Sequence, residues 1–99
     1  MSELSVNIVG SQQLSVAGTA VALTVPSGKT PRHALIYVGT NSIRWLGGGT
    51  DPTASLGILV AAGGYIDWTE PVSDFRGLMT QAKFIQVTGA ATLDIIYFT

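Results

Sequence analysis

The feature that most constrains this chain is its punctuation. β-Branched and aromatic residues come in short runs, separated by clusters of Gly, Pro, Asn, Asp and Ser. No apolar pattern of helical period continues for the length of a helix. Such a chain builds strands and turns. Ser5 to Val9 reads as a first strand and Gln13 to Ala17 as a second, with a turn at Gly18-Thr19. Val21, Leu23 and Val25 alternate with Ala22 and Thr24, the period of a half-buried strand. Pro26 to Pro31 reads as a loop, because proline cannot donate a ladder hydrogen bond.

Ala34 to Val38 is apolar at every position, the pattern of a strand covered on both faces. Ile43-Arg44-Trp45-Leu46 follows, then a Gly-rich loop from Gly47 to Leu56, then a strand over Gly57 to Ala61. Gly63-Gly64 reads as a hairpin turn into Tyr65 to Thr69. Ser73 to Thr80 is ambiguous, since Ser73 is suited to cap a helical turn and Gly77 opposes more than one. Phe84 to Thr88 and Thr92 to Phe98 are the last strands, joined by a tight turn at Gly89-Ala90. The last has large apolar groups on both faces: Leu93, Ile95 and Tyr97 on one, Ile96 and Phe98 on the other. It therefore belongs in a two-sided core or at a subunit interface. Together these elements predict an all-β fold, a single small β-sandwich or jelly roll of about eight strands. One domain spans residues 1–99, with N-terminal strands or an arm over 1–30 and the main sandwich over 33–98.

Composition then bears on what the domain is for. Hydrophobic residues make up 46% of the 99 and charged residues only 11%, against about 25% charged in an ordinary soluble domain. A domain this small leaves much of its surface in water, since it buries only about two-thirds of what the unfolded chain exposes. Mean hydropathy is +0.41, yet the apolar run from Leu56 to Ala62 is far shorter than the roughly 20 residues of a spanning helix. The reading that follows is a soluble part of an assembly, its apolar surface covered by other subunits. Met1-Ser2-Glu3-Leu4 has neither the basic nor the apolar region of a signal peptide. The five cations, Lys29, Arg32, Arg44, Arg76 and Lys83, are scattered and the net charge is −1, so no basic field attracts a phosphate backbone.

Enzymatic chemistry finds few tools here. Cysteine is absent and His33 is the lone histidine, so a zinc site would lack its usual ligands and no cofactor is expected. Asp67, Glu70 and Asp74 lie close together, but Pro71-Val72 interrupts the regular ligand spacing of a calcium loop. Gly47-Gly48-Gly49-Thr50 has no lysine at phosphate-loop spacing and no helix after it. A hydrolase would have to draw on His33, Asp67 or Asp74. Trp45, Trp68, Tyr65 and Tyr37 form either core and interface or an aromatic platform for sugar.

A resemblance sharpens the expectation. Ile43-Arg44-Trp45-Leu46, then Gly49-Thr50-Asp51-Pro52-Thr53-Ala54-Ser55-Leu56-Gly57, then Leu59 with Gly63-Gly64, resembles small virion structural proteins of tailed bacteriophages. Those carry a strand of the form I-R-[YW] before a G-T-x-P-T-x-x-x-G loop. Phe75-Arg76-Gly77-Leu78, Gly89 to Leu93 and the close at Tyr97-Phe98 fit the same pattern, which covers roughly Ala34 to Phe98. Gly47-Gly48-Gly49 stands where an acidic residue is more usual in that family. The resemblance implies a non-enzymatic capsid decoration or cement protein, made in the host cytoplasm and located on the capsid surface of the virion. Its partner would be the major capsid protein, and it would form a homo-oligomer, with a trimer favoured. Residue type marks Arg32, Arg44, Trp45, Tyr65, Trp68 and Arg76 as candidate contacts. The loop adds Thr50, Asp51 and Pro52, because proline restricts the residue before it and Thr and Asp bond to nearby backbone. A tail, baseplate or head-to-tail component, or a small carbohydrate-binding module, is the alternative.

Overall fold

The computed structural model describes residues 8–26, 28, 31–69 and 81–98. All eight elements placed among them are strands: β1 (Ile8–Val16), β2 (Val21–Ala22), β3 (His33–Gly39), β4 (Ile43–Leu46), β5 (Ile58–Val60), β6 (Tyr65–Thr69), β7 (Lys83–Gln86) and β8 (Ala91–Phe98). They form two antiparallel four-stranded sheets, sheet A in the order β1-β8-β3-β6 and sheet B in the order β2-β7-β4-β5. Each strand pairs with its mirror along the chain: β1 with β8, β2 with β7, β3 with β6, β4 with β5. The chain is thus doubled at the β4–β5 loop, and the doubled ribbon is rolled so that β8 also meets β3 and β7 meets β4. Of the two expected architectures, this is the jelly roll.

The core lies between the sheets. Ala34, Ile36 and Val38 of β3 and Leu93, Ile95 and Tyr97 of β8 face inward and are essentially inaccessible, as are Ile43 of β4 and Phe84 of β7. Alternation along β8 is complete, as the pleat requires. Only one face of β3 is covered, however. Leu35 is half-buried and Tyr37 exposed. The uniformly apolar run does not report a second core, because β3 lies in an antiparallel sheet whose other face is open. Ile96 and Phe98 of β8 share that open face.

Three further readings are corrected. The separate strands expected around Gly10-Ser11-Gln12 are one strand, β1, with an irregularity between Ile8 and Gly10. Gly10 marks a close approach and not a break: a Cβ there would sit 2.6 Å from Cγ of Pro26. The half-buried strand over Val21 to Val25 is paired only at Val21–Ala22, although Leu23 is buried and Val25 packs on the core. Gly63-Gly64 is not a hairpin, since β5 and β6 lie in different sheets. Gly63 does adopt positive φ (88°), and the turn is tied to β3 by Gly63 N–H to Val38 O (2.7 Å) and Val38 N–H to Gly64 O (2.9 Å). The reading of Ser73 to Thr80, with Arg76, and the start of the first strand at Ser5 lie outside the described residues, as do Lys29, Glu70 and Asp74.

Tyr97 couples the core to pH. Its ring is fully buried and its hydroxyl donates to Oε1 of Gln12 (3.1 Å), which also accepts from Thr24 N–H (3.2 Å). Burial pushes the phenol up to about 12. A folded-state value above that of the unfolded chain means stability is intact below about pH 10 and is lost as pH rises toward 12. The loss is expected to reach roughly 2–3 kcal/mol, from about 1.4 kcal/mol per unit. Tyr97→Phe should abolish this alkaline step at the cost of about 1 kcal/mol for the hydrogen bond. Urea unfolding from pH 8 to 12 reads both; an alkaline loss of equal size in the variant would assign it elsewhere.

Candidate interaction surface

The candidate contact residues separate into three groups. Trp45 and Trp68 are core partners. Trp68 of β6 is 8% exposed, and its ring meets Trp45 of β4 edge-on at 5.2 Å, with Phe84 of β7 at 6.3 Å. This cluster joins the two sheets. The tryptophans therefore do not form a sugar platform with Tyr37 and Tyr65, which lie outside.

The second group organises the β4–β5 loop, the one connection between consecutive strands that stays within a sheet. Arg44 donates from Nε to Ala54 O (3.0 Å) and from Nη1 to Gly57 O (2.9 Å), so its charge is spent on the loop's own carbonyls. Thr53 and Leu56 exchange backbone hydrogen bonds (2.9 and 3.2 Å), and Thr53 Oγ1 accepts from Ser55 N–H (3.2 Å). Asp51 pairs with Lys83 Nζ at 3.0 Å. Both side chains are well exposed, so that pair contributes at most about 1 kcal/mol. Pro52 is fully buried, while Thr50 stands exposed. Leu56, with Ile58 and Leu59 on edge strand β5, presents apolar surface to solvent.

The third group opens the site. Tyr65 is 63% exposed, and its ring lies 5.2 Å from that of Tyr37. Register places the two opposite each other on β6 and β3, with Asp94 of β8 and Gln13 of β1 continuing the row. The next row contains Ser11, Ile96, Leu35 and Asp67, and the one beyond it Ile8, Phe98 and His33. Ile8, Phe98, Ile96, Leu35, Tyr37 and Tyr65 thus form an apolar strip across the outer face of sheet A. Ile8 is 65% exposed. Arg32 is exposed at the start of β3, its N–H donating to Phe98 O at 2.8 Å. Arg76 lies outside the described residues.

Polar groups edge this strip. His33 Nε2 lies 2.6 Å from Asp67 Oδ1, with its ring 4.9 Å from Phe98. Gln13 Nε2 donates to Asp94 Oδ1 at 3.0 Å, beside a shallow open depression between β1 and β8. No lysine or arginine stands on any strand of sheet A. The face is therefore largely apolar, with the His33–Asp67 and Gln13–Asp94 pairs at its edges and Arg32 exposed beside it.

The His33–Asp67 pair brings together two of the residues a hydrolase would use. A carboxylate orients an imidazole, but general-base catalysis also needs a reacting group within reach and a site that excludes water. This pair lies on an open sheet face. Among the described residues, no group of three or more His, Cys, Asp or Glu is placed to hold a metal ion, and no helix is long and apolar enough to cross a membrane.

Tyr65, a candidate contact by residue type, shares this face with Tyr37, Ile96 and Phe98, which the sequence left between core and interface, and with Ile8 and Leu35, which it did not single out. The available signal was the second apolar set on β3 and β8, at i and i+2, left over once one set had been assigned to the core. Compared with protein-family models, with curated proteins and with solved structures, the chain matches none.

Proposed function

We propose that this chain is a non-enzymatic capsid decoration (cement) protein of a tailed bacteriophage, seated on the major capsid protein through the outer face of sheet A. The observation that carries the reading is the apolar strip from Ile8 to Tyr65, which a folded domain of this size would otherwise leave in water. The partner surface this strip fits is likewise apolar, with polar groups at its margin. The resemblance over Ala34 to Phe98 supplies the phage context. A jelly roll does not decide the matter, because the fold serves viral shells and lectins alike. Binding is the whole mechanism. Apolar area removed from water contributes about 25 cal/mol per Å² before association costs, and many copies bridging a lattice act together.

The test replaces Ile8 and Tyr65 with aspartate. Both are largely exposed, so folding is retained while two charges enter the strip. Copies per purified particle, counted against the major shell protein, should be comparable with it for the native chain and fall at least about tenfold for the variant, given the several kcal/mol of mismatched charge. A small ring-like number would move the protein to the neck, tail or baseplate. Absence of the native chain from particles would overturn the structural reading.

One observation favours a carbohydrate-binding module on the same face: the Tyr37–Tyr65 pair stands in one row with Asp94 and Gln13, an aromatic surface with hydrogen-bonding groups beside it. Sugar-dependent quenching of tyrosine emission, lost in Tyr37→Ala, would support it.

A further inference from the structure

We propose that β1 is a self-complementary edge through which two copies of this chain pair antiparallel, joining their A sheets into one eight-stranded sheet. β1 and β6 border sheet A, and β2 and β5 border sheet B. Three of these edges are guarded in the ways natural sheets guard them. β2 has two residues and β5 three; β6 has five, with Asp67 at its centre. β1 is nine residues long and contains no charge and no proline. Its irregularity is confined to Ile8–Gly10, and Ser11 to Val16 run in unbroken register with β8.

Among the described residues, β8 is the one ladder partner of β1. Residues 23–26 approach β1 through its inward side, where Thr24 N–H bonds to the Gln12 side chain and Pro26 packs over Gly10. They do not extend the ladder. The backbone groups of Ser11 to Val16 that point away from β8 are therefore a template for a further strand about 4.8 Å away.

A second copy fits this template better than any other surface of the chain. Two identical strands related by a two-fold axis match in length and run antiparallel, the closed symmetry commonest in homo-oligomers. The outward side chains at the seam are Ser11, Gln13 and Ser15, uncharged and able to hydrogen-bond across strands. No like charges meet. A trimer closed by edge pairing would instead need β1 laid along β6, a shorter strand with Asp67 in its middle. Pairing β1 with β1 also sets two copies of the outer apolar face side by side in one surface. The inference is independent of what that face binds.

The full-length chain should have twice its sequence mass by sedimentation equilibrium or light scattering at micromolar concentration. Ser11→Lys combined with Ser15→Lys places lysines on both sides of the seam. Both positions are exposed, so the circular dichroism spectrum and a cooperative melt should be preserved. The dissociation constant of this variant should rise by about a hundredfold or more, because like charges across an interface are costly. Ile58→Lys with Leu59→Lys, on β5 at the edge of sheet B, should leave the dimer intact. A native chain that stays monomeric, one that is trimeric, or a dimer indifferent to the β1 lysines and broken by those on β5 would each overturn the proposal. The native dimer dissolved only by the β1 variant, measured on chain free of any particle, would establish it whether or not the capsid reading survives.

Discussion

Replacing Phe84 with alanine is expected to remove a large share of the stability of this domain. The side chain has no exposed surface and belongs to β7 of sheet B, while its ring lies 6.3 Å from Trp68 on β6 of sheet A and 6.4 Å from Trp45. It therefore fills the space where the two sheets meet. Truncating a buried phenylalanine costs about 3–5 kcal/mol, the lost transfer energy plus the cavity left behind. A domain of this size has roughly 5–15 kcal/mol in all. The melting temperature should fall by roughly 12–40 °C, at about 4–8 °C per kcal/mol. Phe84→Leu keeps most of the volume and should cost less than about 1.5 kcal/mol. Urea unfolding followed by tryptophan emission reports the outcome directly, since Trp45 and Trp68 line the cavity. A loss below about 1 kcal/mol in Phe84→Ala would mean that the sheets collapse around the gap or that the aromatic cluster is not the core.

Gly57→Ala should give the second large effect. Gly57 joins the β4–β5 loop to β5 at φ 133°, a conformation available almost only to glycine. A Cβ there would lie 3.1 Å from Trp45 O, 3.2 Å from Arg44 Cβ and 3.3 Å from Pro52 Cβ. Backbone strain of about 1–3 kcal/mol thus combines with overpacking of about 1–3 kcal/mol. The neighbours have little freedom to yield, because Arg44 is held to the loop by two hydrogen bonds and Pro52 is buried. Gly48→Ala is the control. It shares a positive φ (79°) but would place its Cβ in open space, so it carries the strain without the clash. Denaturant midpoints of the two variants separate the contributions. Equal losses would show that the close packing at Gly57 contributes nothing.

These two positions also show how differently the sequence speaks about core and loop. Phe84 is legible as core because it sits in an apolar strand of a chain with few aromatics. Gly57 closes the Gly-Thr-x-Pro-Thr-x-x-x-Gly loop pattern, but nothing in that pattern announces that Pro52 and the backbone of β4 crowd against it. The same holds for Arg44. Residue type marks it as a rim contact for a partner, whereas the folded loop brings two carbonyls from ten and thirteen residues away to its guanidinium. Trp45 and Trp68 illustrate the converse. Their type suits interface and core equally, and the placement of β4 and β6 in opposite sheets that face each other encloses them.

The all-β class and the approximate places of most strands follow from local chemistry alone: turn residues, β-branched runs and a period of two are written within a few neighbours. The sheet each strand joins is not written there. Gly63-Gly64 reads as a hairpin turn and Gly89-Ala90 as a tight turn, yet both carry the chain between sheets, because the strands they join have their ladder partners elsewhere in the chain. Only the rolled topology decides that Leu35, Tyr37, Ile96 and Phe98 share one open face with Tyr65 and Ile8, and that β1 stands at an edge. The physical reason is that strand pairing depends on which long-range backbone ladders and which buried faces can be satisfied together, and that condition is met by the whole chain at once.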